Sequence, residues 1–477
     1  MENTIIKSKG EEIISAANSA RWELGNDFHD SIIESIYENA SHIAKKTVKQ
    51  LGEKEAYSFD LKIDKIVTSK LLGFPLMFLM LAVVFWLTVA GANYPSGLLA
   101  SVLIDKVHPL LKNLAASANI PWWLNGLLID GAYLSMAWVI SVMLPPMAIF
   151  FPIFTLLEDL GYLPRVAFNM DNLFRKAGAH GKQALTMSMG FGCNAAGVVA
   201  ARVIDSPRER LIAIITNNFS LCNGRWPTQI LIATIFIGAL VPAGMAGLVS
   251  AGAVVAVALI GIFFSLVVSW SLSKSVLKGE ASSFSLELPP YRPPRILQTL
   301  YTSLIDRTLI VLWRAIVFAA PAGLVIWLVA NIHIGDLSLA EHFIEWSNPF
   351  GLFFGLNGVI LLAYIIAIPA NEIVIPTVLM LTVLSTKLTG IGAGSGVMFE
   401  MDSIADTANV LHAGGWTLLT GINLMLFSLL HNPCSTTIMT IYKETKSAKW
   451  TLVSTFLPIV LGLIVTFFTT QIWYLFH

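Results

Sequence analysis

Ala253-Val254-Val255-Ala256-Val257-Ala258-Leu259-Ile260-Gly261-Ile262-Phe263-Phe264-Ser265-Leu266-Val267-Val268-Ser269-Trp270 carries no charge over 18 residues. As a helix rising about 1.5 Å per residue, it nearly spans a hydrocarbon core of about 30 Å. Strands of a transmembrane barrel would alternate apolar and polar residues over about 10 positions, and this run does not alternate. The whole chain agrees: its 477 residues are 55% hydrophobic and only 13% charged, with mean hydropathy +0.71, too little polar surface to cover a soluble protein. The expected class is therefore all-α, a polytopic helical membrane protein. A net charge of zero gives no support to a nucleic-acid partner. The first 70 residues are polar, with no basic segment leading a short apolar core, so no cleavable signal peptide is expected.

Working outward, membrane segments are expected at 74–92, 122–154, 184–203, 211–240, 243–270, 309–331, 352–384, 416–441 and 450–474. Lys and Arg cluster before Phe74, between Arg165 and Lys182, between Lys274 and Arg314, and at Lys443 to Lys449. These stretches should face the cytoplasm, whereas 331–350, which lacks Lys and Arg, should be external. Three segments lie between two stretches assigned to the same side, so one must turn back. The best candidate is 184–203, where Gly190-Phe191-Gly192-Cys193-Asn194 should break a helix. Ile368-Pro369-Ala370-Asn371-Glu372 should break 352–384 in the same way. Broken helices at matching places in two halves point to two gate-type repeats with a binding site between them. Residues 1–70 read as a cytosolic helical segment. No phosphate-binding GxxxxGK[ST] string occurs; the nearest, Gly178-Ala179-His180-Gly181-Lys182, continues with Gln183. The expectation is a transporter with no catalytic residues, not an enzyme.

The three cysteines sit at such breaks. Cys193 follows glycines, Cys222 lies in Ser220-Leu221-Cys222-Asn223-Gly224-Arg225-Trp226-Pro227, and Cys434 ends His431-Asn432-Pro433-Cys434. A single membrane cysteine is ordinarily a small buried hydrophobe, but all three at Asn, Gly or Pro breaks suggest one path lined by thiols. Sulfur ligands favour soft or borderline metals over Mg or Ca. Cys193, Cys222 and Cys434 are the expected metal-contacting residues, with Met189, Asn194, Asn371 and Glu372 supporting the path. Glu372, ionisable at a break inside a span, reads equally as a carboxylate paired with an Arg or capping a half-helix. Glu158, Asp159, Glu400, Asp402 and Asp406 read as solvated charges, and His180, His412 and His431 as isolated, with structural or surface roles.

Leu156-Leu157-Glu158-Asp159-Leu160-Gly161-Tyr162-Leu163-Pro164-Arg165, then Met170-Asp171, His180-Gly181-Lys182 and Gly190-Phe191-Gly192-Cys193-Asn194 resemble the first gate region of the ferrous iron transport protein B family. Leu286-Glu287-Leu288-Pro289-Pro290-Tyr291-Arg292, Asn371-Glu372-Ile373-Val374, Pro433-Cys434 and Lys443-Glu444-Thr445 extend the resemblance from about Asp60 to the C-terminus. It implies a helical bundle with two gate domains, Fe2+ as cargo rather than a permanent cofactor, and the three cysteines as gate-motif thiols on the ion path. The expected division is 1–70, a spacer-like cytosolic segment; 71–275, the first membrane half with gate 1; 276–308, a cytoplasmic linker; and 309–477, the second half with gate 2. A bacterial plasma (inner) membrane location with a cytoplasmic N-terminus follows, as does a homo-oligomer as a possible assembly. Members usually begin with a GTPase domain, which this chain does not show. A separate GTPase is therefore expected to dock on residues 1–60 through Ile13, Ile14, Ala17, Ile32, Ile33 and Ile36; an amphipathic helix lying on the membrane is the competing reading. Alternative functions are a nucleoside or organic-solute carrier, and a membrane scaffold that transports nothing.

Overall fold

The structure is a computed structural model that describes residues 28–47, 62–69, 71–278, 295–388, 391, 397–401 and 403–476. Ile13, Ile14, Ala17, Asp402 and the Leu286 to Arg292 motif lie outside them. The chain divides into residues 1–65 with 281–287, and the remainder. In the first unit Phe28–Thr47 forms helix α1. Ile32 and Ile33 fall on it, and Ile36 is exposed.

The second unit is helical because backbone amides inside a bilayer have no water to bond and must pair within their own segment. Helix α2 (Gly73–Ala100) continues through a π-helical stretch, Ser101–Val107, to Ser117. Helix α3 (Leu134–Asp159) is preceded by a second π-helical stretch, Gly126–Tyr133. The expected span 74–92 is thus too short, since the chain stays helical well past it. Those two stretches are bonded to each other: Tyr133 Oη donates to Leu103 O at 2.8 Å, and Asp130 lies 2.8 Å from His108 Nε2 and 3.0 Å from Lys112 Nζ.

From α3 onward two halves carry two broken segments in the same order, the second half with α14 inserted between them. In the first, α4 (Tyr162–Lys176) leads to α5 (Gln183–Gly192) and α6 (Asn194–Ala200), then α7 (Pro207–Thr216), α8 (Trp226–Ile232) and α9 (Ala243–Lys274). The second begins with α10 (Ile310–Asn331) and α11 (Leu339–Phe353), and continues with α12 (Gly358–Ile366) and α13 (Val374–Thr386). Helix α14 (Ile404–Ala413) precedes α15 (Leu418–Leu430), α16 (Ser435–Thr445) and α17 (Ala448–Phe476). The break between α5 and α6 is Cys193, at φ −151° and ψ 120°, and Ala370 stands at φ −152° and ψ 122° after α12. Both residues are extended and both precede an asparagine. The two expected breaks are therefore present with the same backbone geometry.

The segments 211–240 and 416–441 are interrupted at 217–225 and at His431 to Cys434, so the breaks expected at Cys222 and Cys434 are present as well. Residues 331–350 carry regular structure. A hairpin pairing His333 with Ser338 leads into α11, whose first turn is closed by a capping box between Ser338 and Glu341. The Ser-x-x-Glu signature was present in the sequence.

Helices α2, α9, α10 and α17 turn large apolar side chains outward, among them Trp86, Phe263, Trp313 and Phe468, which suits contact with lipid chains. Inward, Ser265 and Ser269 of the long α9 run are buried, and Gln183 Nε2 donates to Ser269 Oγ at 3.0 Å and Thr216 Oγ1 at 2.7 Å. Such bonds satisfy polar groups where lipid offers no partner.

Candidate functional site: a thiol-lined cavity

The broken helices point their interruptions at one another. Asn223 N donates to Gly192 O at 3.1 Å, and Ser435 N donates to Ile368 O at 2.9 Å. In each half the residue after a break cysteine is therefore bonded to the end of the preceding broken helix. Between these four breaks lies a small cavity. Cys193, Cys222 and Cys434 all line it, as free thiols. Asn194, Asn371 and Glu372 line it too.

Each side chain is placed by its own break. Asn217 Nδ2 donates to Asn194 O at 2.8 Å, fixing the start of α6. Cys434 Sγ lies 3.2 Å from Thr437 Oγ1, on the first turn of α16. The Asn371 amide lies between Cys222 Sγ, at 3.7 Å, and His431 Nε2, at 3.0 Å. Glu372 approaches the 220–225 loop so closely that a Cβ on Gly224 would fall 2.2 Å from its Oε1, so glycine there makes room for the carboxylate.

Behind the cavity, the buried Arg225 guanidinium holds the two halves together. It donates to Asn218 O and Oδ1 in the first half at 2.9 and 3.1 Å. From the same group, bonds reach Leu429 O at 3.0 Å, His431 O at 3.4 Å and Asn432 O at 3.2 Å in the second. These carbonyls include the end of α15, where no intrahelical donor remains, and a cation also suits a helix C-terminus.

Chemically, the lining offers sulfur, amide and carboxylate groups to a cation. Among the described residues no three His, Cys, Asp or Glu side chains are close enough to grip one ion together. The cysteines instead sit separately around one space, an arrangement suited to successive contacts that an ion can leave.

The structure does not bring Met189 into this lining: it packs with Val84, Met147 and Phe150 in an apolar cluster. Met143 and Met147 of α3 line the cavity instead. Sequence reasoning also passed over Arg225 and left His431 isolated. The signal for both was that an Arg and a His stand beside break cysteines inside apolar stretches. Glu158 is an exposed partner of Arg307 at 3.6 Å, and Asp159 accepts from Thr299 Oγ1 at 2.6 Å, so neither belongs to the cavity. His180, outside the spans, is buried, and that burial holds its pKa below the usual histidine value.

Residues 140–239, which carry Cys193 and Cys222, match a family model described as Gate, nucleoside recognition. Residues 254–306 match the model of the ferrous iron transport protein B C terminus. A protein of Staphylococcus aureus (strain MSSA476) named Fe(2+) transporter FeoB is 29% identical over 428 residues, 88% of this chain. These matches make the chain similar to the ferrous iron transport protein B family. Other FeoB relatives are the Fe(2+) transporter FeoB of Campylobacter jejuni, 26% identical over 86% of this chain and 65% of that protein, and a protein of Porphyromonas gingivalis. The latter, named Fe(2+) transport protein A/Fe(2+) transporter FeoB fusion protein, is 31% identical over 60% of this chain and 33% of its own length. The chain spans 60% of the length of the Staphylococcus FeoB protein. No solved structure matches it.

Proposed function

We propose that this chain is a permease that carries ferrous iron across the bacterial plasma membrane through the cavity at Cys193, Cys222 and Cys434. The observation that carries the reading is that all three cysteines, distant in sequence and each at a helix break, line one cavity beside Glu372. Thiols bind borderline ions such as Fe2+ in preference to Mg or Ca, and Glu372 supplies negative charge where a cation must shed water. Gate 1 lies in 71–275 and gate 2 in 309–477, with the ion between them. The names of the FeoB relatives point to the same cargo.

Gating by a GTPase supplied in trans, docked on residues 1–60, completes this reading on the strength of the family resemblance, with α1 part of the docking segment. The nucleoside carrier is disfavoured because no aromatic side chain lines the cavity among the described residues. The test is uptake by vesicles reconstituted with the purified chain, with and without GTP and a GTPase fraction. Uptake of Fe2+ that uridine does not inhibit supports the permease. Uridine flux, or no flux of any cargo, rejects it.

A further inference from the structure

The ring of His431 is buried between Tyr364 and Phe427, and both its nitrogens are in contact. Nδ1 lies 2.8 Å from Ser428 O, a carbonyl, which can only accept. The proton must therefore be on Nδ1. Nε2 then presents a lone pair to the Asn371 amide at 3.0 Å. With Asn371 Oδ1 toward the ring, two acceptors would face each other at that distance. A second ring proton would relieve this only by adding a cation next to Arg225, whose Nη2 is bonded to His431's own carbonyl. The backbone carbonyl cannot turn, but an amide can. Turned, Asn371 Nδ2 donates to Nε2, and Oδ1 takes the position 3.7 Å from Cys222 Sγ, where it accepts the thiol proton.

We propose that His431 is a positioning residue of the ion path: through its Nε2 it turns the Asn371 amide so that the carbonyl oxygen, not the NH2, faces the cavity beside Cys222. A cation crossing there meets sulfur and oxygen together rather than two N–H dipoles pointing at it. The inference rests on the permease reading, and neither the family matches nor the sequence singles out this histidine.

Two substitutions separate the two bonds of the ring. His431→Gln puts an amide oxygen at the place of Nε2 and keeps the acceptor; His431→Asn reaches only the place of Nδ1, keeping the Ser428 bond and losing the Asn371 one. In Fe2+ uptake by reconstituted vesicles, H431N should raise the half-saturation concentration about tenfold or more, with a smaller change in maximal rate, and H431Q should stay within about threefold of the native chain. Equal impairment, or the reverse order, would show that His431 serves the end of α15 and overturn the inference. Should H431N fail to reach the membrane, His431→Met takes its place as the variant without a strong acceptor. Protection of Cys222 from alkylation by Fe2+, in detergent-solubilised protein with the other two cysteines replaced by Ser, reads the same order without flux. That order without any uptake would sink the permease reading and leave this one standing. No protection in the native His431 background would overturn it.

Discussion

Arg225 is a charge inside an apolar fold, kept there by oxygens from both halves, Asn218 on one side and Leu429, His431 and Asn432 on the other. Deleting the guanidinium takes the donor from Asn218 O, Leu429 O and Asn432 O, while His431 O keeps its bond from Asn218 Nδ2, and each buried acceptor left unpaired costs about 1–3 kcal/mol. Arg225→Met should therefore lower the thermal stability of the purified protein by about 3 kcal/mol or more, read as loss of folded protein on heating. Arg225→Lys should rescue it poorly, because an ammonium cannot reproduce the planar fork that reaches both halves. A melting curve for R225M equal to the native one would contradict this. Gly224→Ala tests the cavity without touching a thiol. Its Cβ would lie 2.2 Å from Glu372 Oε1, so the carboxylate must swing away. Fe2+ uptake should fall about tenfold while stability changes by no more than about 1–3 kcal/mol. Normal uptake by G224A would remove Glu372's present position from the ion path.

At the scale of elements, α10 crosses the π-helical stretch Gly126–Tyr133 at a contact only glycine permits: a Cβ on Gly323 would sit 2.1 Å from Gly131 O. Gly323→Val should drive the two helices apart and cost about 2–3 kcal/mol, measured as reduced folded yield in detergent. An unaffected yield would mean that the two helices cross elsewhere. This crossing was not legible in the sequence, because a glycine in a span looks the same whether it faces lipid or another backbone. Nor were the π-helical stretches, or the pairing of Asp130 with His108 and Lys112 beside them. The breaks were legible at Gly190 to Asn194 and Ile368 to Glu372, since glycine and proline act locally on the backbone. The breaks at Cys222 and at His431 to Cys434 were legible for the same reason, from the Asn, Gly and Pro beside each cysteine. The same difference explains the site. Cysteines beside helix breaks could be found by inspection, whereas Met143 in place of Met189 needed the packing of α3, and His431 needed its contact with Asn371.

For the whole molecule, the basic stretches assign sides. Lys182, Lys278 and Lys446 should face the cytoplasm, and 331–350 and His477 the outside. Single cysteines in a background free of the native three, treated in intact cells with an impermeant maleimide, should label in 331–350 and stay unlabelled at position 278. External labelling at 278 would invert this arrangement. The central claim is that iron crosses by way of the three thiols, and serine nearly preserves their volume while binding a borderline-soft ion poorly. The most direct measurement is radiolabelled Fe2+ uptake into vesicles holding equal amounts of the native chain or its Cys193→Ser, Cys222→Ser, Cys434→Ser triple variant. The account expects each single variant to lose about tenfold in uptake and the triple variant to fall to the level of empty vesicles, with all of them folded and inserted. Native-level uptake by the triple variant would contradict it.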